Sequence, residues 1–472
     1  MWSDRAPAAA TARRARSLRE WLPVRGTGSP VRRRLRIDID AETLAQRLLR
    51  QGSIAWLDGG EEGEHQLAIA PLMSVRSTGT GSRLTAGTSR KRWRADGFDL
   101  LESILTAFAA SAPDARLFGY LSYELAARLE ELPAFPPADL PFADMEMGLH
   151  DLWIQGRAGD WALVGTDAWR GVAGTEEVAI AIERAAGLPG PDAPAVSIES
   201  QLLSQPSERG YQHAVARTVQ RIFAGEIFET NLCRRLEFGL AAGDGWGIYR
   251  AMRGTGEAEH AAFIANPRLS VLSRSPEGFL SVRDGLVRSG PIKGTRPRDR
   301  DPQRDAALRQ ELLSSEKDRA ELAMIVDLVR NDLGRVCAPG SVRVARHAAL
   351  MELDTVWHTV SEVVGQLRQD CSSVDLLRAS FPPGSITGAP KIAAIAAAAR
   401  EEPCRRGPAM GSIGWIGLGG DLELSVAIRT AVAAAGRVVY HAGCGIVADS
   451  DPQSELEETR AKARVFLEAL GR

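Results

Sequence analysis

The lysines of this chain are few, and most of them lie in one part of the sequence. The 472 residues include 58 Lys plus Arg, but only five of these are lysines: Lys91, Lys293, Lys317, Lys391 and Lys462. A desolvated lysine can lose its proton, whereas arginine stays charged, so a site that needs a neutral amine cannot accept arginine. Lys293 lies between Pro291 and Gly294, which favour a turn or strand end over a helix. We therefore take Lys293 as the first candidate for amine chemistry.

Two pairs of acidic residues share the same spacing. Asp318 and Glu321 are three residues apart on a predicted helix, and Glu455 and Glu458 repeat this spacing on the last predicted helix. Residues three apart lie on one helix face, and like charges there repel unless they share a cation. Mg²⁺ prefers carboxylate oxygens. From spacing alone, two ordinary solvent-facing helix surfaces explain the pairs better than a metal site does.

Composition and charge argue against several classes of protein. The chain is 44% hydrophobic and 25% charged, as in soluble globular proteins, and its net charge of −2 gives no basic field for nucleic acid. The five cysteines are scattered and form no CxxC pair, which favours a reduced cytosol over a disulfide scaffold or zinc site. No apolar run reaches the roughly 18 residues of a membrane span. We expect a cytoplasmic protein with no nucleic-acid or membrane partner.

Changes in composition divide the chain into four segments. Residues 1–36 carry ten arginines and are expected to form a basic, disordered leader, with an organellar transit peptide as the alternative. Residues 37–186 mix strand and helix signals, including a strand at 36–39. The Gly/Pro-rich stretch within 187–205 predicts a linker. Residues 206–472 form the remaining segment.

This last segment is predicted to be α+β. A helix over 305–333 is expected to bend near Ser314, and a closing helix is expected over 455–470. The segments 424–434 and 437–441 are predicted to pair as strands across Ala435 and Gly436. Further predicted elements are a helix at 211–224 and strands at 227–238, 262–266, 270–274, 279–282 and 286–289.

Several motifs together resemble the chorismate-using enzymes, which include anthranilate, aminodeoxychorismate, isochorismate and salicylate synthases. The motifs are Ser-Pro-Glu at 275–277, Pro-Ile-Lys-Gly-Thr at 291–295, Glu-Lys-Asp-Arg-Ala-Glu at 316–321 and Ile-Val-Asp-Leu-Val-Arg-Asn-Asp-Leu-Gly-Arg at 325–335. The second motif resembles the component I subgroup of aminodeoxychorismate synthases, since anthranilate synthases have Ala in place of Lys293. The resemblance runs from about residue 211 to the C-terminus, and more weakly over 37–133. It implies an α+β fold of two face-packed β-sheets with outer helices and the active site between the sheets.

The resemblance also implies catalytic roles. Lys293 would attack ring carbon C2 of chorismate, Glu277 would protonate the departing C4 hydroxyl, and His358 would lie near the breaking bond. On the residues alone, Glu277 also fits a salt-bridged strand end, and a lone histidine such as His358 is more often structural than catalytic. The implied metal is Mg²⁺, bound by Glu321 and Glu458, with Asp318 and Glu455 behind bound waters.

Other residues are implied to bind the substrate. A guanidinium fork suits a carboxylate, closely spaced glycines allow backbone approach, and the start of the helix after residue 390 offers free N–H groups. Capping of that helix by Thr387 is the simpler explanation for part of this set. The implied substrate contacts are Ser385, Thr387, Gly388, Trp415, Arg429, Gly443, Gly445 and Lys462.

Two residues depart from the family pattern. Trp415 stands where the family usually has Tyr, so a hydroxyl contact is lost or replaced by the indole N–H. Glu229 stands where amino-transferring members usually have Gln and where isochorismate and salicylate synthases have a water-activating Lys.

The implied reaction converts chorismate and ammonia to 4-amino-4-deoxychorismate, for para-aminobenzoate and folate synthesis. We find no glutaminase segment and expect a separate glutamine amidotransferase subunit to supply the ammonia. Two alternatives remain. Anthranilate synthase component I is disfavoured by Lys293 and by a missing Leu-Leu-Glu-Ser segment. A non-catalytic chorismate-binding subunit is disfavoured by the retention of Glu277, Lys293 and both acidic pairs.

Overall fold

The computed structural model of the chain describes residues 8–61, 63–190, 196–198, 203–242, 244–256, 258–353 and 356–471. The helices are α1 Ala8–Trp21, α2 Ala41–Leu48, α3 Gly97–Phe108, α4 Gly171–Gly187, α5 Glu208–Phe223, α6 Gly245–Arg253, α7 Pro302–Ser314, α8 Glu316–Gly334, α9 Ser373–Ser380, α10 Lys391–Glu401 and α11 Pro452–Ala469. Among the described residues, no helix combines the length and apolarity that a membrane crossing requires.

The strands in chain order are β1 Pro30–Arg34, β2 Ile54–Asp58, β3 His65–Ile69, β4 Met73–Thr78, β5 Gly81–Ala86, β6 Ser89–Arg94, β7 Arg116–Leu121, β8 Met145–His150, β9 Leu152–Arg157, β10 Asp160–Thr166, β11 Ser197–Ile198, β12 Leu203–Gln205, β13 Glu229–Ala242, β14 His260–Asn266, β15 Leu269–Ser275, β16 Gly278–Arg283, β17 Leu286–Ser289, β18 Ile292–Pro297, β19 Arg343–Glu352, β20 Val356–Gln366, β21 Gly388–Ala389, β22 Ser412–Gly417, β23 Leu422–Val426, β24 Thr430–Ala434 and β25 Arg437–Ile446.

These strands form two antiparallel sheets that pack face to face. The first sheet has the order β1-β10-β9-β3-β2-β14-β15-β24-β25-β13-β11, with β12 and β21 also paired to β13. The second has the order β18-β20-β17-β16-β23-β22-β7-β8-β4-β5-β6, with β19 paired to β20. Phe118 and Ile413 of the second sheet meet Trp153, Ile264 and Val439 of the first in a shared apolar layer. The expected α+β class with two face-packed sheets is confirmed.

Helices cover the outer face of each sheet. Leu44 of α2, Ile182 of α4 and Phe466 of α11 pack on the first sheet. On the second sheet, α3 places its apolar residues at helical spacing, from Phe98 through Leu101 and Leu105 to Phe108, and all are buried. Each sheet therefore has one face against its partner and one against helices.

The break between α7 and α8 confirms the predicted bend near Ser314. Ser315 has an extended backbone and leaves the helical path, and its hydroxyl accepts a hydrogen bond from the Asp318 N–H at 3.2 Å. This cap satisfies one of the free N–H groups at the start of α8. It also fixes the rotation of α8, and hence the direction in which Glu321 points.

The expectation of a disordered leader is wrong for residues 8–34. Ala15 and Leu18 of α1 are fully buried, and Arg14 Nε donates to Ser103 Oγ of α3 at 3.0 Å. Residues 30–34 pair with β10 along their whole length. The prediction failed because it relied on the arginine-rich composition, whereas the few buried apolar residues of α1 lie on one face of the helix. Residues 1–7 lie outside the described residues.

The predicted division into segments also differs from the packing. Trp56 of β2 pairs with Phe263 of β14, and Gly119 of β7 pairs with Gly414 of β22. Strands from 37–186 and from 206–472 therefore alternate within both sheets, so 187–205 does not separate two packing units. Residues 191–195 and 199–202 of that linker lie outside the described residues.

Two strand predictions were wrong in detail. The stretch predicted as a strand at 36–39 has no strand structure, and the strand lies at 30–34 instead. The single strand predicted at 424–434 is two strands, since β23 belongs to the second sheet and β24 to the first. The chain crosses between the sheets at residues 427–429.

We expect Leu18→Ala to lower the free energy of unfolding by roughly 2–5 kcal/mol, because it leaves a cavity in the core beneath α1. Urea denaturation measures this change. Arg16→Ala, at an exposed position of the same helix, should change the stability by no more than about 0.5 kcal/mol. Equal stability of Leu18→Ala and wild type would show that α1 is not part of the folded core.

Candidate active site

Two chain crossings between the sheets lie side by side. Glu277 stands between β15 of the first sheet and β16 of the second, and Arg429 stands between β23 of the second and β24 of the first. The Val426 N–H donates to the Glu277 carbonyl at 3.0 Å, and the Arg274 N–H donates to the Arg429 carbonyl at 3.1 Å. Arg429 has φ 51°, a left-handed conformation that is uncommon for a non-glycine residue. Strain of this kind is concentrated at functional sites.

Lys293 reaches the same junction from β18. Its Nζ lies 2.7 Å from Glu229 Oε1 on β13 of the opposite sheet and 3.7 Å from Glu321 Oε2 on α8. The pairing of β18 with β20 is irregular at Gly294, which has φ 77°. Lys293 thus joins both sheets and the first acidic helix.

The charges around Lys293 keep it protonated. Burial acts to lower the pKa of Lys293, but the carboxylates of Glu229, Glu321 and Glu277 outweigh burial and raise this pKa above its ordinary value. The expectation that a desolvated site favours a neutral amine is therefore not met by this arrangement. Lys293 can act as a nucleophile only after one of these carboxylates accepts its proton or is neutralised.

Glu277 has the properties of a general acid. Its side chain is almost fully buried, and desolvation raises its pKa to about 7, against the opposing effects of the Ser385 hydroxyl and the Lys293 ammonium. A carboxyl with this pKa is partly protonated at neutral pH and can donate a proton to a leaving group.

His358 is tied to the strand that carries Lys293. Burial, with a smaller effect from the charge of Arg429, lowers the pKa of His358, so its ring is neutral. Its Nδ1 lies 3.2 Å from the Gly294 carbonyl and 2.9 Å from Thr295 Oγ1. A carbonyl can only accept, so Nδ1 carries the proton, and Nε2 is left as an acceptor.

Arg429 supplies positive charge beside His358, and Lys462 lies near Arg429. Lys462 Nζ lies 2.7 Å from Glu458 Oε1 and donates to the Gly443 carbonyl at 2.9 Å. The charge of Arg429 acts on both His358 and Lys462. Within the described part of the chain, the Arg429 guanidinium has no hydrogen bond or ion pair, so its fork is available for a carboxylate.

Three of the predicted glycines make room for protein atoms. A Cβ on Gly445 would lie 2.3 Å from Glu229 Oε1 and 3.2 Å from Lys293 Nζ, and a Cβ on Gly443 would lie 2.5 Å from Cys233 Sγ. Gly388 has φ 123°, and its Cβ would lie 2.1 Å from the Glu229 carbonyl. Gly388 and Gly445 thus leave the space that Glu229 occupies when it contacts Lys293.

The turn before α10 carries two buried hydroxyls. Ser385 Oγ is buried, acts on the pKa of Glu277, and lines a narrow cleft of about 10 Å³ together with Glu277 and Pro383. The Thr387 hydroxyl lies 3.2 Å and 3.1 Å from the Pro383 and Gly384 carbonyls. Thr387 therefore does not cap α10, whose N-cap residue is Pro390, and that alternative is wrong.

The two acidic helices face each other across Lys317. Lys317 Nζ lies 3.9 Å from Glu321 Oε1, and its charge also acts on Glu455 and Glu458 of α11. The ligand atoms of Glu455, Glu458 and Cys444 lie within 4.8 Å of one another. Asp318 pairs instead with Arg296 at 3.2 Å.

The comparisons with known proteins decide the family. Residues 52–468 match the model of the chorismate binding enzymes. This chain belongs to that family. It is 37% identical over 354 residues to aminodeoxychorismate synthase component 1 of Klebsiella aerogenes, covering 75% of this chain and 76% of that protein.

Other relatives have a different specificity. The chain is 37% identical over 372 residues to anthranilate synthase component 1 of Streptomyces coelicolor, covering 75% of this chain and 72% of that protein. The crystal structure of anthranilate synthase component I from Streptococcus pneumoniae matches with a TM-score of 0.75 and 26% identity, over 85% of this chain and 92% of that one.

The donor set of this chorismate-binding enzyme fits Mg²⁺. Burial raises the pKa of Glu321 and of Glu455, so both carboxylates favour a nearby cation. Carboxylate oxygens are the ligands that Mg²⁺ takes. Burial also raises the pKa of the Cys444 thiol, which donates to the Glu455 carbonyl, and a protonated thiol is not a ligand for this ion. Glu455 and Glu458, whose ligand atoms lie close together, are thus the candidates on α11, and Glu321, which shares Lys317 with them, is the candidate on α8.

Trp415 is not brought to this cluster. It is buried between the sheets, with the Arg116 guanidinium 3.6 Å and the Arg283 guanidinium 4.7 Å from its ring. Its indole N–H has no partner among the described residues. A role for Trp415 in binding the substrate stays a prediction.

Glu229 is the residue of this cluster that sequence reasoning undervalued. It is fully buried, it contacts Lys293, and its Oε2 has no hydrogen-bond partner among the described residues. The signal that could have found it was an acidic residue at the start of β13, a strand whose first ten residues are buried on both faces. Lys317, between the acidic helices, was also not selected.

We expect Gly445→Ala to reduce turnover of chorismate by roughly 100-fold, because its Cβ displaces the Lys293–Glu229 pair. Steady-state kinetics measure the loss. Gly187→Ala adds a Cβ in open space and should leave turnover unchanged. Full activity of Gly445→Ala would show that this pair is not needed.

Glu229→Gln should lower the pKa of Lys293, because it removes the carboxylate closest to the ammonium. Labelling of Lys293 by an amine-directed reagent, followed by mass spectrometry across pH, should then begin at lower pH, with about tenfold faster labelling per unit of pKa change. Glu226→Gln, which alters an acid paired with Arg221, is the control. Identical labelling of Glu229→Gln and wild type would contradict the assigned electrostatics.

Proposed function

We propose that this protein is component I of an aminodeoxychorismate synthase, which converts chorismate and ammonia to 4-amino-4-deoxychorismate. The observation that carries the proposal is the Lys293 amine at the junction of the two sheets, with Glu277, Glu229 and Arg429 around it. Anthranilate synthases have Ala at this position, so the reaction of this chain uses an amine that theirs does not have.

Substrate binding relies on the cations of the junction. Arg429 pairs with the carboxylate of the pyruvyl side chain through its free fork, and Lys462 contacts the same end of the substrate. Glu321, Glu458 and Glu455 would hold Mg²⁺, which would supply positive charge for the ring carboxylate. Asp318, the fourth predicted metal residue, is paired with Arg296.

The chemical steps follow from the positions of Lys293 and Glu277. The amine of Lys293 forms a bond to C2 while the C4 hydroxyl departs as water with the proton of Glu277. Ammonia then adds at C4 as the C2–N bond breaks and returns the amine of Lys293, and the proton that the added nitrogen loses restores Glu277 to its acid form. This is covalent catalysis, with one difficult substitution divided into two.

Glu229 is the residue that prepares Lys293 for attack. Its Oε1 is the closest acceptor to Lys293 Nζ, at 2.7 Å. When Glu229 accepts the proton of Lys293, it also loses the negative charge that raises the pKa of this lysine. The Gln of related amino-transferring enzymes cannot perform this step, so the proton must take another route in them.

Ammonia would come from a glutamine amidotransferase subunit. The relative from Klebsiella aerogenes is named as component 1, which supports a second component as its source. Ammonium salt should replace that subunit in vitro.

Anthranilate synthase component I is the alternative function. The chain is 37% identical both to the Streptomyces coelicolor anthranilate synthase component 1 and to the Klebsiella aerogenes aminodeoxychorismate synthase component 1. Overall identity therefore does not separate the two functions. Lys293 argues against it, since anthranilate formation in the family uses Ala there.

The deciding experiment supplies purified protein with chorismate, Mg²⁺ and ammonium salt. Products are resolved by mass and by coupling to an aminodeoxychorismate lyase. We expect wild type to form a product that the lyase converts to para-aminobenzoate, and Lys293→Ala to lose it. Lys91→Ala, distant in the sheet order, is the control. Direct formation of anthranilate by wild type would overturn the proposal, and no consumption of chorismate would support a binding subunit.

The rate should fall as the pH rises through about 7, because Glu277 acts in its protonated form and burial raises its pKa to about 7. The rate should therefore be highest below pH 7 and should fall above it. A pH profile of kcat measures this limb, and Glu277→Gln should abolish it together with roughly 100-fold or more of the rate. A rate that is constant from pH 6 to 8 would exclude Glu277 as the acid.

A further inference from the structure

A second cleft opens between the two sheets, away from Lys293. It is formed by β2, β3 and the turn after β14 on one side and by β4, β5, β7 and β8 on the other. In the order of the second sheet, β4 to β6 form one edge and β18, which carries Lys293, forms the other. The cleft has a volume of about 300 Å³, at the lower end of the range for small-molecule pockets.

Arginines from three neighbouring strands occupy one face of this cleft. Arg76 of β4 stands directly opposite Arg83 of β5, and Arg83 stands directly opposite Arg92 of β6. Arg90 is diagonal to Arg83 on the same face, since it pairs with Thr85. Like charges directly opposite each other destabilise a sheet. An anion bound at this face would offset the repulsion between them.

The cleft has an excess of positive charge. The guanidinium groups of Arg76, Arg83, Arg90 and Arg268 line it, and the one acid among its lining residues is Glu146. Glu146 is already engaged, since it accepts hydrogen bonds from the Tyr120 hydroxyl at 3.0 Å and from Arg268.

Two of the four guanidinium groups are unpaired. Arg83 and Arg90 are exposed, and neither has a hydrogen bond or ion pair in the described part of the chain. A guanidinium presents two parallel donors that match a carboxylate or a phosphate. Arg83 and Arg90 can therefore each engage an oxyanion without breaking an existing contact.

The deeper wall of the cleft is apolar. Ala55, Ala68, Phe118, Met147 and Ile264 line it. An inorganic anion would leave this wall without a partner, and a flat macromolecular surface would not reach it. The combination of an apolar wall and an arginine face suits a small organic anion.

We infer that this cleft binds a small organic polyanion, whose carboxylate or phosphate oxygens pair with Arg83 and Arg90 and whose apolar body packs against Phe118 and Ile264. The inference does not depend on the proposed reaction, because the cleft shares no lining residue with the Lys293 cluster.

Isothermal titration calorimetry with three probes tests the inference. Phthalate supplies an aromatic dicarboxylate, phenyl phosphate an aromatic phosphate, and inorganic phosphate the charge without an apolar body. We expect one aromatic probe to bind once per chain and inorganic phosphate to bind about tenfold more weakly. The tighter of the two aromatic probes identifies the oxyanion.

Charge-reversal variants locate the binding. The double variant Arg83→Glu with Arg90→Glu should weaken binding by about tenfold or more. Arg16→Glu, on the outer helix α1, should not change it. Chorismate is itself a dicarboxylate, so an aromatic probe could also bind at the Lys293 cluster. The same titration is therefore made with Arg429→Ala, which should bind the probe in the cleft as tightly as wild type does.

Four outcomes would overturn the inference. No aromatic probe binds, the double variant binds as wild type does, Arg429→Ala loses the binding, or inorganic phosphate binds as tightly as the aromatic probes. Circular dichroism of the double variant shows whether it is folded, and the single variants Arg83→Glu and Arg90→Glu repeat the test if it is not.

Discussion

The structure depends on two adjacent crossings of the chain between its sheets. At Glu277 and at Arg429 the backbone leaves one sheet and enters the other, and hydrogen bonds from Val426 and Arg274 hold the two connections together. Side chains at such crossings point into the space between the sheets without interrupting either hydrogen-bonded ladder. A strand from each sheet then completes the site, since β18 carries Lys293 and β13 carries Glu229.

Charge balance is the second constraint on this site. Carboxylates converge on it from β13, α8 and α11, and those of Glu229 and Glu455 are buried. Burying unpaired carboxylates is costly, so each lysine of the region is paired with one: Lys293 with Glu229, Lys317 with Glu321 and Lys462 with Glu458. A divalent cation and an anionic substrate would enter together into a site that is already close to neutral.

Patterns in the sequence correctly predicted the features that depend on a few neighbouring residues. The break at Ser314, the spacing of Glu455 and Glu458, and the turn residues around Lys293 were all visible in the sequence because each depends on a few neighbouring residues. The packing of α1 was missed because arginines outnumber the two buried residues of its face. The exchange of strands between the segments was also missed, since the pairing of Trp56 with Phe263 depends on distant parts of the chain. Glu229 appeared only as a departure from a family pattern, because its contact with Lys293 joins different sheets.

The alternation of early and late strands has a consequence for synthesis on the ribosome. When β2 emerges, its partner β14 has not been made, and β7 must wait still longer for β22. Long-range pairings of this kind form slowly, and unpaired strand edges are prone to aggregation. The nascent chain thus exposes the edges of its first strands until translation is nearly complete, so its yield in a cell should depend on chaperones that bind during elongation.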